Sequence, residues 1–156
     1  MSGPLEAPID GRQSEAALTI AHGVRRLLRA HGFATVTELP LTSGRRADVV
    51  GVNADGALVI VEIKSSVADF RADQKWRDYF AHCDRLYFAV DADMPLDVMP
   101  TEAGLIVADS YGGEILREPA PRAIPPAARR AVLLRFALAA ADRRHRLADP
   151  GAAPET

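Results

Sequence analysis

The chain has 156 residues, 48% hydrophobic and 26% charged, the make-up of one globular domain able to bury a real core. A net charge of −2 excludes a uniformly basic nucleic-acid coat, while leaving room for a local basic surface. The single cysteine, Cys83, excludes an intramolecular disulfide and a cysteine-built zinc site, and no apolar run approaches the roughly 18 residues of a membrane span.

Residues 1–11, rich in Pro and Gly, read as a loose leader. They lack a basic start followed by an apolar core, so no signal peptide is read and a cytoplasmic protein is expected. Over residues 13–31 the apolar positions Ala17, Leu18, Val24, Leu27 and Leu28 recur with helical spacing. Arg25, Arg26 and Arg29 lie on the polar side of that helix, and Gly32 stops it. Residues 35–41 alternate as a strand, placed at a sheet edge by Pro40. Residues 46–52 and 57–64 flank Asn53-Ala54-Asp55-Gly56, a hairpin signal. Ser66-x-x-Asp69 resembles a capping box for a helix reaching about residue 82, with Val67, Phe70, Trp76, Tyr79 and Phe80 as its apolar positions. Residues 85–90 and 105–108 are short strands, and Tyr111-Gly112-Gly113 turns into a third at 114–116. Pro125-Pro126 opens a last helix over 127–147, and a disordered tail is expected from residue 149. No internal repeat is visible. The order of elements indicates a single α/β domain, residues 12–148, built on a mixed sheet with helices on both faces.

The chemistry concentrates at Glu62-Ile63-Lys64, which ends the apolar run Leu58-Val59-Ile60-Val61. Residues two apart on a strand share a face, so Glu62 and Lys64 emerge side by side where the strand should reach solvent. A three-residue loop with Gly56 in the left-handed position sets Asn53 against Ala57, and paired residue numbers then sum to 110. Asp48 falls opposite Glu62, and Arg46 opposite Lys64. Two carboxylates so close repel unless a cation or a proton joins them. With a backbone carbonyl such as that of Ile63, they make an oxygen site suited to magnesium and its retained waters. Lys64 would orient an attacking water or neutralise charge on a phosphate. A register off by one would send Asp48 and Glu62 to opposite faces and end this reading. The plainer alternative is a rim salt bridge between Glu62 and Lys64.

Other residues carry two readings each. Arg45 and Arg46 border Asp48 and either hold phosphate or compensate nearby acids. Gln74 and Lys75 lie on the helix after the motif, either facing the site or exposed. Asp69 and Asp73, one turn apart there, read as surface acids before metal ligands. Trp76, Tyr79 and Phe80 read as core before a base-stacking platform. Glu15 is a first-turn carboxylate stabilised by the helix dipole. The arginines of the last helix, Arg129 to Arg146, form either a solvated face or a phosphate-tracking surface. His22, His31 and His145 show no ligand spacing, and the direction of Glu38 is open.

Arg46-Ala47-Asp48, then Glu62-Ile63-Lys64, then a helix carrying Gln74, resembles the core of the PD-(D/E)XK nuclease superfamily. Gly44-Arg45-Arg46-Ala47-Asp48, Val61-Glu62-Ile63-Lys64-Ser65-Ser66, Asp69-Phe70 and Asp73-Gln74-Lys75-Trp76 together look more narrowly like MmcB-type DNA repair proteins of bacteria, over about residues 13–118. Ala47 stands where the motif has proline. The resemblance implies a restriction-endonuclease-like fold and Mg2+- or Mn2+-dependent hydrolysis of DNA. It casts Asp48 and Glu62 as metal ligands and Lys64 as the catalytic lysine, with Glu15 as an additional acid and Gln74 as a ligand or phosphate contact. DNA is the implied partner, with repair proteins or a second copy of the chain left open. A non-catalytic DNA- or partner-binding module of the same fold is the rival reading.

Overall fold

The computed structural model describes residues 14–151. The leader expected over residues 1–11, and residues 152–156 of the expected tail, lie outside the described residues. Helix α1 (Glu15–Ala30) begins where Ser14 Oγ accepts the Ala17 N–H at 3.1 Å, with Glu15 in the first turn. It ends as Gly32 takes φ 87°, a backbone conformation that glycine tolerates without strain.

Six strands follow: β1 (Ala34–Pro40), β2 (Arg46–Val52), β3 (Leu58–Ile63), β4 (Arg85–Val90), β5 (Gly104–Ala108) and β6 (Gly113–Arg117). They form one mixed sheet in chain order, with β1 at an edge as Pro40 requires. β1/β2, β2/β3 and β5/β6 are antiparallel, whereas β3/β4 and β4/β5 are parallel. Every residue of β3 is buried, which explains why it is apolar on both parities. On one face of the sheet Ile20, Val24 and Leu28 of α1 pack against Val49, Val61 and Ile106. On the other, Ile60, Leu86 and Phe88 meet Trp76, Tyr79 and, from α3 (Pro126–Ala148), Val132 and Phe136. Helices on both faces of a mixed sheet are what the order of elements implies.

The β2/β3 hairpin has the expected loop. Asn53 N–H donates to Ala57 O at 3.2 Å, and Gly56 sits at φ 79°. The register pairs Val49 with Val61 and Val52 with Leu58, so residue numbers sum to 110.

The helix expected to reach residue 82 is broken. α2 (Val67–Ala72) ends at Asp73, whose backbone is extended (φ −92°, ψ 95°), and the chain resumes as a 3-10 helix, Trp76–His82. No residue of α2 is fully buried, so packing does not enforce its continuation. Trp76 is instead drawn into the core, 5.1 Å from Phe88 centroid to centroid and 5.8 Å from Phe80, both edge-on.

The arginines of α3 are neither a simple solvated face nor a continuous phosphate track. Arg129 holds both oxygens of Asp84 at 2.6 Å and donates to Gly56 O at 2.9 Å. Arg135 donates to Pro40 O at 3.3 Å, and Arg143 to Thr37 O and Glu38 O. Arg146 pairs with Asp142 at 3.0 Å, while Arg130 and Arg144 are exposed. Half the set therefore ties the helix to the hairpin and to the edge strand. Within that strand Glu38 takes φ 50°, and Val36 and Leu39, three residues apart, reach the same core. The left-handed residue breaks the two-residue alternation that would have separated them.

Candidate active site

The hairpin register brings Asp48 and Glu62 together one step beyond the last ladder pair, Val49 with Val61. There the side chains take over the hydrogen bonding of the strands. Asp48 N–H donates to Glu62 Oε1 at 3.0 Å, and Ile63 N–H donates to Asp48 Oδ2 at 2.8 Å. The two carboxyl groups lie close enough for each to act on the other's proton affinity. Burial first, and then the charge of Asp48, push Glu62 well above the usual carboxylate range. Burial also raises Asp48, with the Ile63 N–H opposing the rise.

Glu62 and Lys64 do not reach open solvent as expected; their relative exposures are 4% and 6%. Lys64 Nζ donates to Asp73 Oδ2 at 2.9 Å, in place of a rim bridge to Glu62. The other oxygen of Asp73 accepts from Arg45 Nη2 at 3.2 Å and from the Lys75 N–H at 3.2 Å. Burial alone would raise the Asp73 carboxyl, but Lys64 outweighs it, with Arg45 and the Lys75 amide assisting, and the group lies below its ordinary value. The charge of Lys64 also opposes the rise at Asp48 and Glu62, so the ammonium acts on three carboxyl groups at once.

The guanidinium of Arg45 lies over the Tyr79 ring, 5.1 Å from its centroid, and the buried Arg45 Nε has no hydrogen-bond partner. Tyr79 donates its hydroxyl proton to Arg46 O at 3.0 Å. Burial and the neighbouring Glu62 charge raise the phenol, so it stays protonated as a donor.

The remaining candidates are dispersed. Arg46 is exposed where β2 pairs with Pro40 of β1, and Lys75 is exposed beside Asp73. Gln74 turns back to its own chain, donating to Arg71 O at 2.7 Å. Glu15 is exposed at the start of α1. Asp69 caps α2, accepting the Ser65 N–H at 3.1 Å. Glu38 is buried and feels the charge of Arg143 from α3. Among the described residues no group of three His, Cys, Asp or Glu side chains could hold a metal ion. The acid pair thus stands as two carboxylates.

Asp73, which a continuous helix would place one turn from Asp69 on the surface, lies instead against Lys64 and Arg45. The available signal was the stretch Arg71-Ala72-Asp73-Gln74-Lys75, which offers only one small apolar residue between Phe70 and Trp76.

Among the described residues no helix is long and apolar enough to cross a membrane. Comparison with curated proteins finds no match. A solved structure of a protein of unknown function from Silicibacter pomeroyi is 41% identical, covering 91% of this chain and 97% of its own, with a TM-score of 0.86. A repair endonuclease from Pyrococcus abyssi is 22% identical over 56% of this chain and 42% of its own, with a TM-score of 0.36, a likeness that assigns nothing here. The family model described as DNA repair protein MmcB-like matches residues 5–151. With nearly the whole length matched, this chain belongs to the MmcB-like DNA repair protein family.

Proposed function

We propose that the chain is a metal-dependent DNA nuclease that hydrolyses phosphodiester bonds. The observation that carries the reading is the acid pair: Asp48 and Glu62 converge across the hairpin, largely removed from water, with Asp48 N–H donating to Glu62 Oε1 at 3.0 Å. Burying two carboxylates side by side is costly without a proton or a cation between them. Their donors are hard oxygens, and Mg2+ or Mn2+ commonly takes one or two carboxylates while keeping waters, so the pair fits such an ion.

A bound divalent cation would supply Lewis acidity toward a phosphoryl oxygen and make water acidic enough to attack phosphorus. Asp48 and Glu62 would hold the ion, with the Ile63 carbonyl as an additional oxygen at the same strand end. Lys64 brings positive charge to the pair's edge, where charge gathers on phosphate in the transition state. Asp73 sets the position of that ammonium. Arg45 and Arg46 flank the approach to Asp48 and supply guanidinium donors to phosphate.

The test is a cleavage panel over single-stranded, duplex and branched DNA with Mg2+ or Mn2+. Metal-dependent cutting is expected, with Glu62→Gln and Lys64→Ala each lowering it by about 10²-fold or more while remaining folded. Metal present, DNA bound and nothing cut would sink the nuclease reading.

The rival is a non-catalytic DNA- or partner-binding module of the same fold. It is favoured by one observation, the engagement of Lys64 Nζ by Asp73 at 2.9 Å. In that case the lysine is a structural counter-ion, and DNA binding would be metal-independent.

A further inference from the structure

Helix α1 carries Arg25, Arg26 and Arg29 on its exposed side, with His22 one turn earlier. Together with Phe33 and Thr35 these four side chains line a groove of ≈ 620 Å³ between the helix and the start of β1. The groove lining contains no Asp or Glu. In a chain whose net charge is −2, so dense a run of cations must be offset elsewhere, and it makes a local positive field. A solvated helix face would more commonly intersperse acids three or four residues away, as Asp142 does for Arg146 on α3.

The groove is also tied to the strand that leads to the acid pair. Arg25 Nε donates to Thr35 Oγ1 at 3.2 Å, which fixes the guanidinium at the edge strand. Thr35 is in register with Gly51, and Asp48 lies three residues back along β2, about 10 Å at roughly 3.4 Å per residue.

We propose that this groove is a docking surface for the phosphodiester backbone of duplex DNA, with Arg25, Arg26 and Arg29 as phosphate contacts. The proposal rests on the DNA-processing reading above and adds the surface that holds the duplex away from the acid pair. β1 ends the sheet on this side, so a rod-like duplex can lie along that edge with one stretch of its backbone in the groove. Contacts of this kind position DNA without reading its sequence.

The test measures binding of a labelled duplex of about 30 base pairs to the full chain without divalent metal, over roughly 50–200 mM salt. The Arg25→Gln/Arg26→Gln/Arg29→Gln protein is expected to bind at least tenfold more weakly at the low-salt end. The slope of log K against log salt should become shallower by about 2–3, at roughly 0.9 for each phosphate no longer neutralised. The corresponding triple lysine variant should keep most of the slope, which separates charge from a packing defect. Unchanged affinity and slope in the glutamine protein would overturn the proposal, as would a wild-type chain that binds no duplex. Glu62→Gln, tested alongside, should bind normally. Loss of cutting there with binding intact concerns the acid pair alone, so the two readings fail independently.

Discussion

At the scale of single residues, the acid pair makes an unusual demand on pH. The folded-state proton affinities of Asp48 and Glu62 are raised, so the folded protein holds protons that the unfolded chain releases. Their contribution to stability is fully present below the ordinary carboxylate range and is lost as pH rises through the raised values. Without metal, Glu62→Gln should therefore melt at a higher temperature than wild type at pH 7.5–8, each kcal/mol moving Tm by about 2–4 °C. The difference should vanish toward pH 4; a variant melting lower at every pH would refute the raised affinity. Asp73 has the opposite sign. Its lowered value stabilises the fold above the ordinary carboxylate range and fails as pH falls through that lowered value. Asp73→Ala leaves Lys64 largely buried without its partner and is expected to cost roughly 3 kcal/mol in urea unfolding, with an unchanged m value.

At the scale of elements, what was legible in the sequence was whatever local chemistry dictates. Gly56, Asn53 and the apolar run of β3 define the hairpin and its register without help from the rest of the chain. That register alone placed Asp48 beside Glu62. The course of the chain from Phe70 to Trp76 was not legible, because tertiary contacts decide it: Trp76 meets Phe88, and Asp73 answers Lys64 and Arg45. Nor could a helical pattern show that Arg129, Arg135 and Arg143 would reach backbone carbonyls and a carboxylate on other elements. Arg129 makes this testable, since its paired 2.6 Å bonds to Asp84 need a planar fork that lysine lacks. Arg129→Lys should lose about 1–2 kcal/mol of stability, a figure kept low because the arginine side chain is 29% exposed. A loss indistinguishable from zero would mean the pair is merely a surface contact.

At the scale of the whole molecule, the acid pair and its Lys64 lie between strands and helices, while the cations of α1 and Arg46 are outside. A divalent ion binding only the folded chain should stabilise it by mass action, by about 2.7 kcal/mol when the ion is at 100 times its Kd. Mg2+ or Mn2+ is thus expected to raise Tm of the wild type, and to do so far less in Glu62→Gln. Equal shifts in both proteins would place the ion elsewhere. The mixed sheet and its two covered faces followed from the sequence pattern, but the closed-over position of Lys64 did not. It depends on α2 and the 3-10 helix folding back over the strand end, an approach of two segments that no local pattern encodes.

The takeover of strand pairing by Asp48 and Glu62 turns the site into its own reporter. The amides of Asp48 and Ile63 are protected by carboxylate oxygens and not by a neighbouring strand's carbonyls. Their hydrogen exchange should follow the occupancy and protonation of the acid pair, while Val49 and Val61 inside the ladder stay slow. Two backbone signals, read by exchange without any substrate, would record whatever the carboxylates are holding.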